Sequence, residues 1–421
     1  MVRIQLRLKA VSPVAFSARR GTSNFVDTLD YVPGSALRGA VAAHYLSRIG
    51  GAGDARFQTI LVKGEASFGN LYPVRLGLRS SVIPSTARSC KTFDGFLSDR
   101  DKHGVFDSLM AAASARLSGN FAALDERARC TVTRCGLPTH RFSGFYEEKA
   151  GDSGGTPPAL YSKVDVSKRH VTHAGINRAS QSAEPGFLYA QQVINESWRE
   201  GSGGEFKPQV FAGDLLVREH QADYVRSSLL PRGTVLRLGD SRSRGLGRME
   251  VDHIGPAETD TETTVRGRIR EFNKRLAEKA GVQPNIDYIS LTLQSDAIIT
   301  DSFLRYETTI EGEDISRAIH AANSQCGIEA RGFHLVFASA DKKLVQSWNA
   351  ASGYPKPDAA AITMGSVFLF KLLNGKAAEL AQPLLALQES GIGQRRSEGF
   401  GRLSICDSFH WEVQEHGQPA R

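Results

Sequence analysis

The first residues of the chain alternate between apolar and polar side chains, with Val2, Ile4, Leu6 and Leu8 on one face. An alternation with period two predicts a half-buried β-strand. A strand pattern begins again in residues 288–293, which read Tyr-Ile-Ser-Leu-Thr-Leu. We therefore expect two strands that lie far apart in the chain, each near the start of a folding unit.

A helical period follows the first strand and its loop. The segment 33–42 reads Pro-Gly-Ser-Ala-Leu-Arg-Gly-Ala-Val-Ala, and Leu37, Val41 and Tyr45 fall on one helical face. Ser35 has a side chain suited to capping free N–H groups at a helix start. These features predict a helix that begins shortly after Pro33.

Clusters of glycine, proline and serine divide the rest of the chain and favour surface loops at 151–158, 200–208 and 255–264. After the third loop, residues 268–280 predict a short basic helix with Ile269, Phe272 and Leu276 facing inward. We place the main domain boundary between Gly255 and Pro284. The division is then an N-terminal domain over 1–255 with a loop-rich insertion near 80–150, a linker with the basic helix over 256–284, and a C-terminal domain over 285–413.

An internal repeat is the most informative feature of the sequence. Residues 239–248 read Gly-Asp-Ser-Arg-Ser-Arg-Gly-Leu-Gly-Arg, and residues 393–402 read Gly-Gln-Arg-Arg-Ser-Glu-Gly-Phe-Gly-Arg. Both copies follow the pattern G-x5-G-[Leu/Phe]-G-Arg, and both lead directly into an alternating strand. The chain is therefore interpreted as a duplication of one α+β unit, of which the first carries an insertion.

The two glycine loops, as we call residues 239–248 and 393–402, have a composition that favours an anionic ligand. Three glycines allow the backbone to approach a ligand closely, and the interleaved arginines supply positive charge. Neither copy ends in the Lys-Ser/Thr of a nucleotide P-loop, and neither is a G-x-G-x-x-G that opens a helix. RNA fits this pattern better than a nucleotide does. The alternative is a tight hairpin whose arginines only face solvent.

The net charge and the excess of arginine bear on the same question of an anionic ligand. The 421 residues carry a net charge of +7 with a pI near 9.1, and the basic residues are 37 Arg against 15 Lys. A planar guanidinium forks onto phosphate and stacks on bases, which explains a preference for Arg, although a GC-rich genome favours Arg codons as well. Five cysteines indicate a reducing compartment, and no apolar run is long enough for a membrane span. A cytoplasmic protein without membrane contact is expected.

A possible metal site lies in the proposed insertion. Cys130 and Cys135 form a C-x4-C pair, and Cys90 and His103 precede them. Three thiols and an imidazole have the softness and number that tetrahedral zinc requires. His140 competes with His103 for the fourth position. Unrelated buried thiols are the alternative.

The residues quoted so far resemble a known family. The pair of glycine loops, the segment 33–39 (Pro-Gly-Ser-Ala-Leu-Arg-Gly) and the ending 391–402 look like the RAMP superfamily of CRISPR proteins. Within it, the tandem arrangement and the length are most similar to the RAMP subunit of type III-D effector complexes, in the group that holds the 5′ handle of the guide RNA (crRNA). The resemblance covers nearly the whole chain.

This resemblance implies a fold and a function. The fold would be two ferredoxin-like (RRM-like) α+β domains in tandem. The function would be a non-catalytic one: capping one end of the guide RNA in an antiviral ribonucleoprotein complex and docking on neighbouring subunits, namely a large polymerase/cyclase-like subunit and backbone RAMP subunits. The implied RNA-binding residues are Ser35, Arg38, Arg242, Arg244, Gly245, Gly247, Arg248, Arg395, Arg396, Gly399, Gly401 and Arg402, with Arg19 and Arg20 as weaker candidates.

Two alternatives stay open at this stage. An RNA-cleaving subunit would use Asp27 or Asp30, which lie in the loop before the Pro-Gly-Ser motif, with a divalent metal; a turn or cap is the simpler role for them. Processing of a guide precursor would instead need a histidine, for which His44, His170 and His173 are candidates. A protein-only assembly subunit is the other class, and the aromatic, proline-containing loop 347–357 would suit a subunit contact.

Overall fold

A computed structural model of the chain has a mixed α/β architecture and describes residues 1–17, 25–75, 77, 79–97, 102–119, 129–130, 132, 135–149, 160–201, 203–281, 286–322, 332–349, 352–373 and 376–416. The helices are α1 (Gly34–Arg48), α2 (Ala55–Phe57), α3 (Leu109–Ser118), α4 (Glu219–Tyr224), α5 (Glu262–Ala280), α6 (Gly312–Ala322), α7 (Ala381–Ser390) and α8 (Phe409–His416). Short π-helical segments follow α2 and α4, at Gln58–Val62 and Val225–Leu229, and 3-10 turns span Arg242–Arg244, Ala377–Leu380 and Arg396–Glu398.

The strands are β1 (Val2–Ala10), β2 (Phe25–Val26), β3 (Ser67–Phe68), β4 (Tyr72–Val74), β5 (Ser81–Val82), β6 (Ala87–Cys90), β7 (Val105–Asp107), β8 (Thr139–Arg141), β9 (Phe145–Lys149), β10 (Leu160–Val164), β11 (Lys168–Ile176), β12 (Ala183–Ile194), β13 (Ser197–Arg199), β14 (Phe206–Pro208), β15 (Val210–Val217), β16 (Val235–Arg237), β17 (Arg248–Pro256), β18 (Tyr288–Leu293), β19 (Phe333–Ser339), β20 (Lys342–Val345), β21 (Trp348–Asn349), β22 (Tyr354–Pro355), β23 (Ala359–Ile362), β24 (Val367–Leu372) and β25 (Leu403–Ile405).

The first large sheet is built around β1. This strand pairs antiparallel with β15 on one side and with β17 on the other; β16 extends the sheet beyond β17, and β3 and β4 both pair with β15. Ile4, Leu6 and Leu8 are buried at 1% exposure or less, because alternate side chains of a strand point to the same face. Helix α1 covers this face with Leu37, Val41 and others.

The second sheet is built around β18 in the same way. Its order is β19-β24-β18-β25, and β18 pairs antiparallel with both neighbours. Along the chain, both halves run in the order strand, helix, strand, strand, helix, strand. The first half has β1, α1, β3/β4, β15, α4 and β17, and the second half has β18, α6, β19, β24, α7 and β25. The two halves of the chain therefore share one strand order around a central first strand.

Helix α5 joins the two halves and is longer than the sequence pattern predicts, since it begins at Glu262 rather than at residue 268. Thr261 and Thr264 form a reciprocal capping box at its start, and Gly281 ends it with φ +66. Ile269, Phe272 and Leu276 are buried as predicted, in the core of the second half.

Of the described residues between β4 and β15, α3 and the small sheet of β7, β6 and β8 pack against the second half, whereas β11 and β12 form a sheet with β2 of the first half. Leu109 and Met110 of α3 belong to the same core as Phe272 of α5. A separate aromatic cluster joins Phe96 and Tyr161 to Phe409 of α8. These contacts hold the inserted segment against the C-terminal half. The sequence had suggested a loop-rich insertion with little core of its own.

Candidate nucleic-acid interface and cysteine-histidine cluster

The two glycine loops adopt the same backbone conformation. Each contains a residue in the left-handed region at its third position, a short 3-10 turn, and glycines with positive φ before and after it. The equivalent φ angles agree closely: Gly239 and Gly393 have +76 and +79, Ser241 and Arg395 have +53 and +54, Gly245 and Gly399 have +89 and +90, and Gly247 and Gly401 have +84 and +74.

The last glycine of each loop is required by close packing as well as by φ. A Cβ atom on Gly247 would lie 2.1 Å from the carbonyl oxygen of Leu238, and one on Gly401 would lie 1.8 Å from that of Ile392. Both distances are far below van der Waals contact, so no other residue fits without backbone movement. The glycine spacing that the two copies share thus encodes one tightly folded turn.

Each loop is held against the segment that follows the central strand of its own sheet. In the first half, the Asp240 N–H donates to Ala15 O at 2.9 Å, and the Gly247 N–H donates to Pro13 O at 2.8 Å. In the second half, Gln394 N–H donates to Ile298 O at 2.9 Å, and Gly401 N–H donates to Asp296 O at 2.8 Å, so the second loop repeats this contact. The backbone amides of these four residues are therefore engaged within the protein.

The first glycine loop presents its cations to solvent. Arg242, Arg244 and Arg248 are all exposed. None of the three forms an ion pair with a carboxylate in the part of the chain that the structure describes. Three guanidinium groups within seven residues, without a carboxylate partner among the described residues, give this surface a local positive charge.

A β-hairpin formed by β11 and β12 places an aromatic ring beside Arg244. The ring of Tyr189 stacks on His173 with centroids 4.8 Å apart and an interplanar angle of 26°. The Arg244 guanidinium lies 5.7 Å from the centroid of the same tyrosine ring, and Ser241 Oγ donates to Gln191 Oε1 at 3.0 Å. We call the hairpin and the first glycine loop together the arginine-aromatic face.

Sequence reasoning identified the arginines of this face and His173, but it missed Tyr189. The residue contacts the loop only because the pairing of β11 with β12 sets Tyr189 opposite His173. An alternation of apolar and polar residues predicts a strand, but it does not give the register between two strands. The feature that could have identified Tyr189 is its place in a hairpin that lies next to a basic loop.

The second glycine loop contains a buried anion that the first loop lacks. Glu398 occupies the position of Arg244 in the repeat, and its carboxylate pairs with Arg395 at 2.5 Å, Lys356 at 2.7 Å and Arg38 at 3.4 Å. Burial tends to raise the pKa of Glu398, but the positive charges of Arg395 and Lys356 outweigh it and hold the pKa below its ordinary value. This loop therefore contains a network of charges that is satisfied inside the protein.

The same loop also joins the two halves of the chain. Arg402 donates from Nη2 to Ser67 Oγ at 2.9 Å and from Nη1 to Glu389 O at 3.1 Å. Burial, with Arg3 nearby, lowers the pKa of Arg402 to about 10. Ser67 Oγ donates in turn to Arg396 O at 2.5 Å. Arg396 alone among the arginines of this loop is exposed.

The start of α1 differs in detail from the sequence-based expectation. The helix begins at Gly34 with Pro33 as the N-cap residue, so Ser35 lies in the first turn and does not cap the helix. The Gly34 N–H donates to Asn70 Oδ1 at 2.9 Å. A Cβ atom on Gly34 would lie 2.6 Å from Glu398 O, which shows how closely the second glycine loop covers this terminus. Arg38 donates to Leu61 O besides its contact with Glu398.

The candidate catalytic residues take no part in the described ion pairs of Glu398. Asp27 and Asp30 are both exposed, and Asp30 forms an ion pair with Lys168. His170 contacts the ring of Phe25 at 5.1 Å between centroids. His44 lies on α1, where partial burial and the nearby Arg48 lower its pKa. Arg19 and Arg20 lie outside the described residues.

The four predicted zinc ligands are brought together by the fold. Cys90 ends β6, His103 precedes β7, and Cys130 and Cys135 lie in the segment before β8; the four ligand atoms lie within 4.8 Å of one another. Burial acts to raise the pKa of Cys90, but hydrogen bonds from the backbone N–H groups of Phe93 and Thr92 outweigh it and lower the pKa. His140 Nε2 faces Asp94 at 4.0 Å instead.

A cleft of about 230 Å³ lies between the two halves. Four arginines and four carboxylates line it, so its formal charges balance and it offers no excess charge to an anion. The charged residues of the lining are Arg3, Arg79, Arg268, Arg402, Glu148, Asp214, Asp260 and Asp407.

The family model described as RAMP superfamily matches residues 7–250. No curated protein matches the chain. Within the described residues, no helix is long and apolar enough to cross a membrane.

The chain matches several solved structures at low sequence identity. A cryo-EM structure of the type III-B Cmr-beta complex bound to cognate target RNA contains a chain with 12% identity and a TM-score of 0.38, with 87% of this chain and 86% of that chain covered. A CRISPR-associated protein Cas6 gives 9% identity and a TM-score of 0.35, with 96% and 98% covered. A Cas6 product complex gives 14% identity and a TM-score of 0.31, with 48% and 79% covered.

Proposed function

Because the chain belongs to the RAMP superfamily, we propose that it is a structural, guide-RNA-binding subunit of a type III CRISPR effector complex. In this proposal it is most similar to the tandem-domain RAMP subunit of type III-D complexes, and it caps the end of the complex that carries the 5′ handle of the guide RNA. Its role in antiviral defence is to hold RNA rather than to cut it, and the cell compartment is the cytoplasm.

The domain arrangement in this proposal is two ferredoxin-like domains, over 1–255 and 285–413, with α5 in the linker. The shared strand order around β1 and β18 supports it, since strand-helix-strand-strand-helix-strand is the ferredoxin-like path. The common conformation of the two glycine loops supports a duplication of one unit.

The observation that carries the RNA proposal is the arginine-aromatic face. Exposed arginines without neutralising partners attract a phosphate backbone, and an aromatic ring beside them can stack on an unpaired base. Arg242, Arg244 and Arg248 supply the first element, and Tyr189 with His173 supplies the second. Single-stranded RNA, such as a guide handle, presents both phosphates and unstacked bases to such a surface.

The two glycine loops take different roles in this proposal. The first loop contacts RNA, because its cations are exposed. The second joins the domains, because Glu398 and Ser67 occupy the polar groups of Arg38, Arg395 and Arg402. Among the arginines of the second loop, Arg396 remains in a position to reach RNA.

A hairpin in the second half offers a surface for neighbouring subunits. The strand pair β20–β23 continues into β21–β22, where Trp348 is 60% exposed and Tyr354 is 72% exposed. Large exposed aromatic side chains are enriched at the centres of protein interfaces. We assign this tip to docking on another subunit of the complex, either a backbone RAMP subunit or the large subunit.

The test of the proposal is a binding titration of the full-length chain with a labelled guide RNA that carries the 5′ handle, repeated over a range of salt concentrations. Reversing the charge of two arginines, with Arg242→Glu and Arg244→Glu together, should weaken binding by about 10-fold or more. The slope of log affinity against log salt should become shallower by about 1.4, since each phosphate contact of a single strand contributes about 0.7.

A matched control is the pair Arg232→Glu and Arg270→Glu. Both residues are exposed; Arg232 lies in the turn at the opposite end of β16 from the first glycine loop, and Arg270 lies on α5. This pair makes the same change in net charge and should leave the affinity near that of the wild type. Equal losses in both double variants, or a salt-independent affinity in the wild type, would count against the proposal.

A further inference from the structure

Three thiols and one imidazole meet at one end of the small sheet formed by β7, β6 and β8. Cys90 and Cys130 are buried, with 1% and 8% exposure, and Cys135 and His103 are half-buried. The four ligand atoms come from positions in the chain separated by up to 45 residues, yet all lie within 4.8 Å of one another. Only the folded chain brings this set together.

Two distances within the cluster match those of tetrahedral zinc, and all the ligand atoms lie within 4.8 Å of one another. Sγ of Cys90 and Sγ of Cys135 are 3.8 Å apart, and Sγ of Cys130 and Nδ1 of His103 are 3.4 Å apart. Zn–S bonds of about 2.3 Å and Zn–N bonds of about 2.0 Å at tetrahedral angles give about 3.8 Å between two sulfurs and about 3.5 Å between sulfur and nitrogen. A disulfide would need an S–S distance of about 2.05 Å, so Cys90 and Cys135 are separate thiols.

The geometry points to a structural zinc ion bound by Cys90, His103, Cys130 and Cys135. Four protein ligands fill a tetrahedral shell and leave no position for water or substrate, which is the arrangement of structural rather than catalytic zinc. The inference also decides between the two histidines of the sequence prediction. His103 stacks on Phe93 with centroids 4.4 Å apart and directs Nδ1 at Cys130, whereas His140 faces Asp94.

The ion would hold loops that have little apolar core of their own. Phe93, Leu97 and Leu137 around the cluster are each between 36% and 39% exposed. The loops are otherwise joined by backbone contacts, such as Cys130 N–H to Leu137 O at 2.7 Å and Lys91 N–H to Pro138 O at 3.0 Å. Where hydrophobic burial is small, metal binding supplies folding free energy.

The effect of the ion would extend to the second half of the chain. Strand β7 begins two residues after His103 and carries Asp107, which contacts His410 of α8 at 3.1 Å. Helix α3 follows at Leu109 and packs in the core of the second half. Zinc at the outer end of this sheet thus stabilises the element that clamps the two halves together.

The experiment is metal analysis of the full-length chain, purified under reducing conditions without added chelator, followed by X-ray absorption at the zinc edge. We expect one zinc per chain, with three sulfur neighbours at about 2.3 Å and one nitrogen at about 2.0 Å. His103→Gln should lower the zinc content to less than half, and His140→Gln is the matched control that should retain one zinc per chain.

Absorption on the wild type keeps the inference testable even if the His103 variant does not fold. A wild-type chain that contains no zinc and takes up none when zinc is added to the reduced protein would overturn the inference. So would a shell dominated by oxygen and nitrogen neighbours, or loss of zinc from the His140 variant with retention in the His103 variant.

Discussion

A single position in the repeat separates the two glycine loops. Arg244 in the first loop corresponds to Glu398 in the second. The arginine lies exposed beside the ring of Tyr189, whereas the glutamate is buried and pairs with three cations. At this position the first copy carries an exposed cation, whereas the second carries a buried anion that binds three cations and draws them into the protein.

At the same scale, Tyr189 is expected to contribute to RNA affinity through its ring. Tyr189→Ala should weaken guide-RNA binding by about 10-fold, because stacking of one base on an aromatic side chain is worth about 1–3 kcal/mol. Tyr189→Phe keeps the ring and is the control, with affinity within about 2-fold of the wild type. A fluorescence anisotropy titration measures both, and equal weakening in the two variants would rule out stacking.

Glu398 is expected to contribute to stability rather than to RNA binding. Glu398→Gln leaves Arg38, Arg395 and Lys356 without their common anion, and should lower the free energy of unfolding by about 2 kcal/mol near neutral pH. Since the pKa of Glu398 is held below its ordinary 4.5, this contribution is present above pH 4.5 and is lost as the pH falls through the folded-state pKa.

Denaturant unfolding at a series of pH values measures this difference. Glu258→Gln, at an exposed position in the loop before α5, is the control and should change stability by less than about 0.5 kcal/mol. A difference between wild type and Glu398→Gln that stays constant down to the most acidic pH would contradict the assignment.

At the scale of elements, the spacing of apolar residues predicted the strands and the helix face that local sequence determines. The strand at residues 2–8, the strand at 288–293 and the inward face of the basic helix are all present. The start of α5 was missed because Thr261 and Thr264 cap each other through side chains that alone resemble loop residues. Ser35 was misplaced because Pro33, with its fixed φ, takes the N-cap position.

The candidate site was predictable only in part, for a related reason. The arginines and cysteines could be identified because their spacing is visible in the sequence. Tyr189 and the pairing of Glu398 with Arg38 depend on strand register and on contacts between residues 360 positions apart. Residue type does not encode such contacts when many registers would bury the same apolar side chains.

A buried histidine links the inserted sheet to α8 and predicts a pH dependence. His410 and Asp107 are both fully buried. Burial tends to lower the pKa of His410, but the charge of Asp107 and its hydrogen bond outweigh it and raise the pKa above the ordinary 6.5. The pair therefore contributes stability that is complete below pH 6.5 and is lost as the pH rises through the folded-state pKa.

Comparison of the wild type with His410→Gln measures this contribution. The glutamine keeps a polar side chain towards Thr292, which lies 2.9 Å from Nε2 of the histidine. The stability advantage of the wild type should be largest near pH 6 and should shrink towards about pH 9. An advantage that grows with pH would show that His410 is neutral in the folded chain.

At the scale of the whole molecule, RNA binding and assembly are expected to be separable. The exposed tip at Trp348 and Tyr354 belongs to the second half, and the arginine-aromatic face belongs to the first. Trp348→Ala with Tyr354→Ala should reduce co-purification with the other subunits by about 10-fold while guide-RNA affinity of the isolated chain stays unchanged. Loss of RNA binding in this variant with normal assembly would reverse the assignment.

The most direct measurement is ultraviolet cross-linking of the 5′ handle to the chain within the assembled effector complex, with the cross-linked residues identified by mass spectrometry. The account predicts cross-links from handle nucleotides to Tyr189 or to its neighbours in β11, β12 and residues 239–248. Handle cross-links confined to the second half, with none on the arginine-aromatic face, would contradict it.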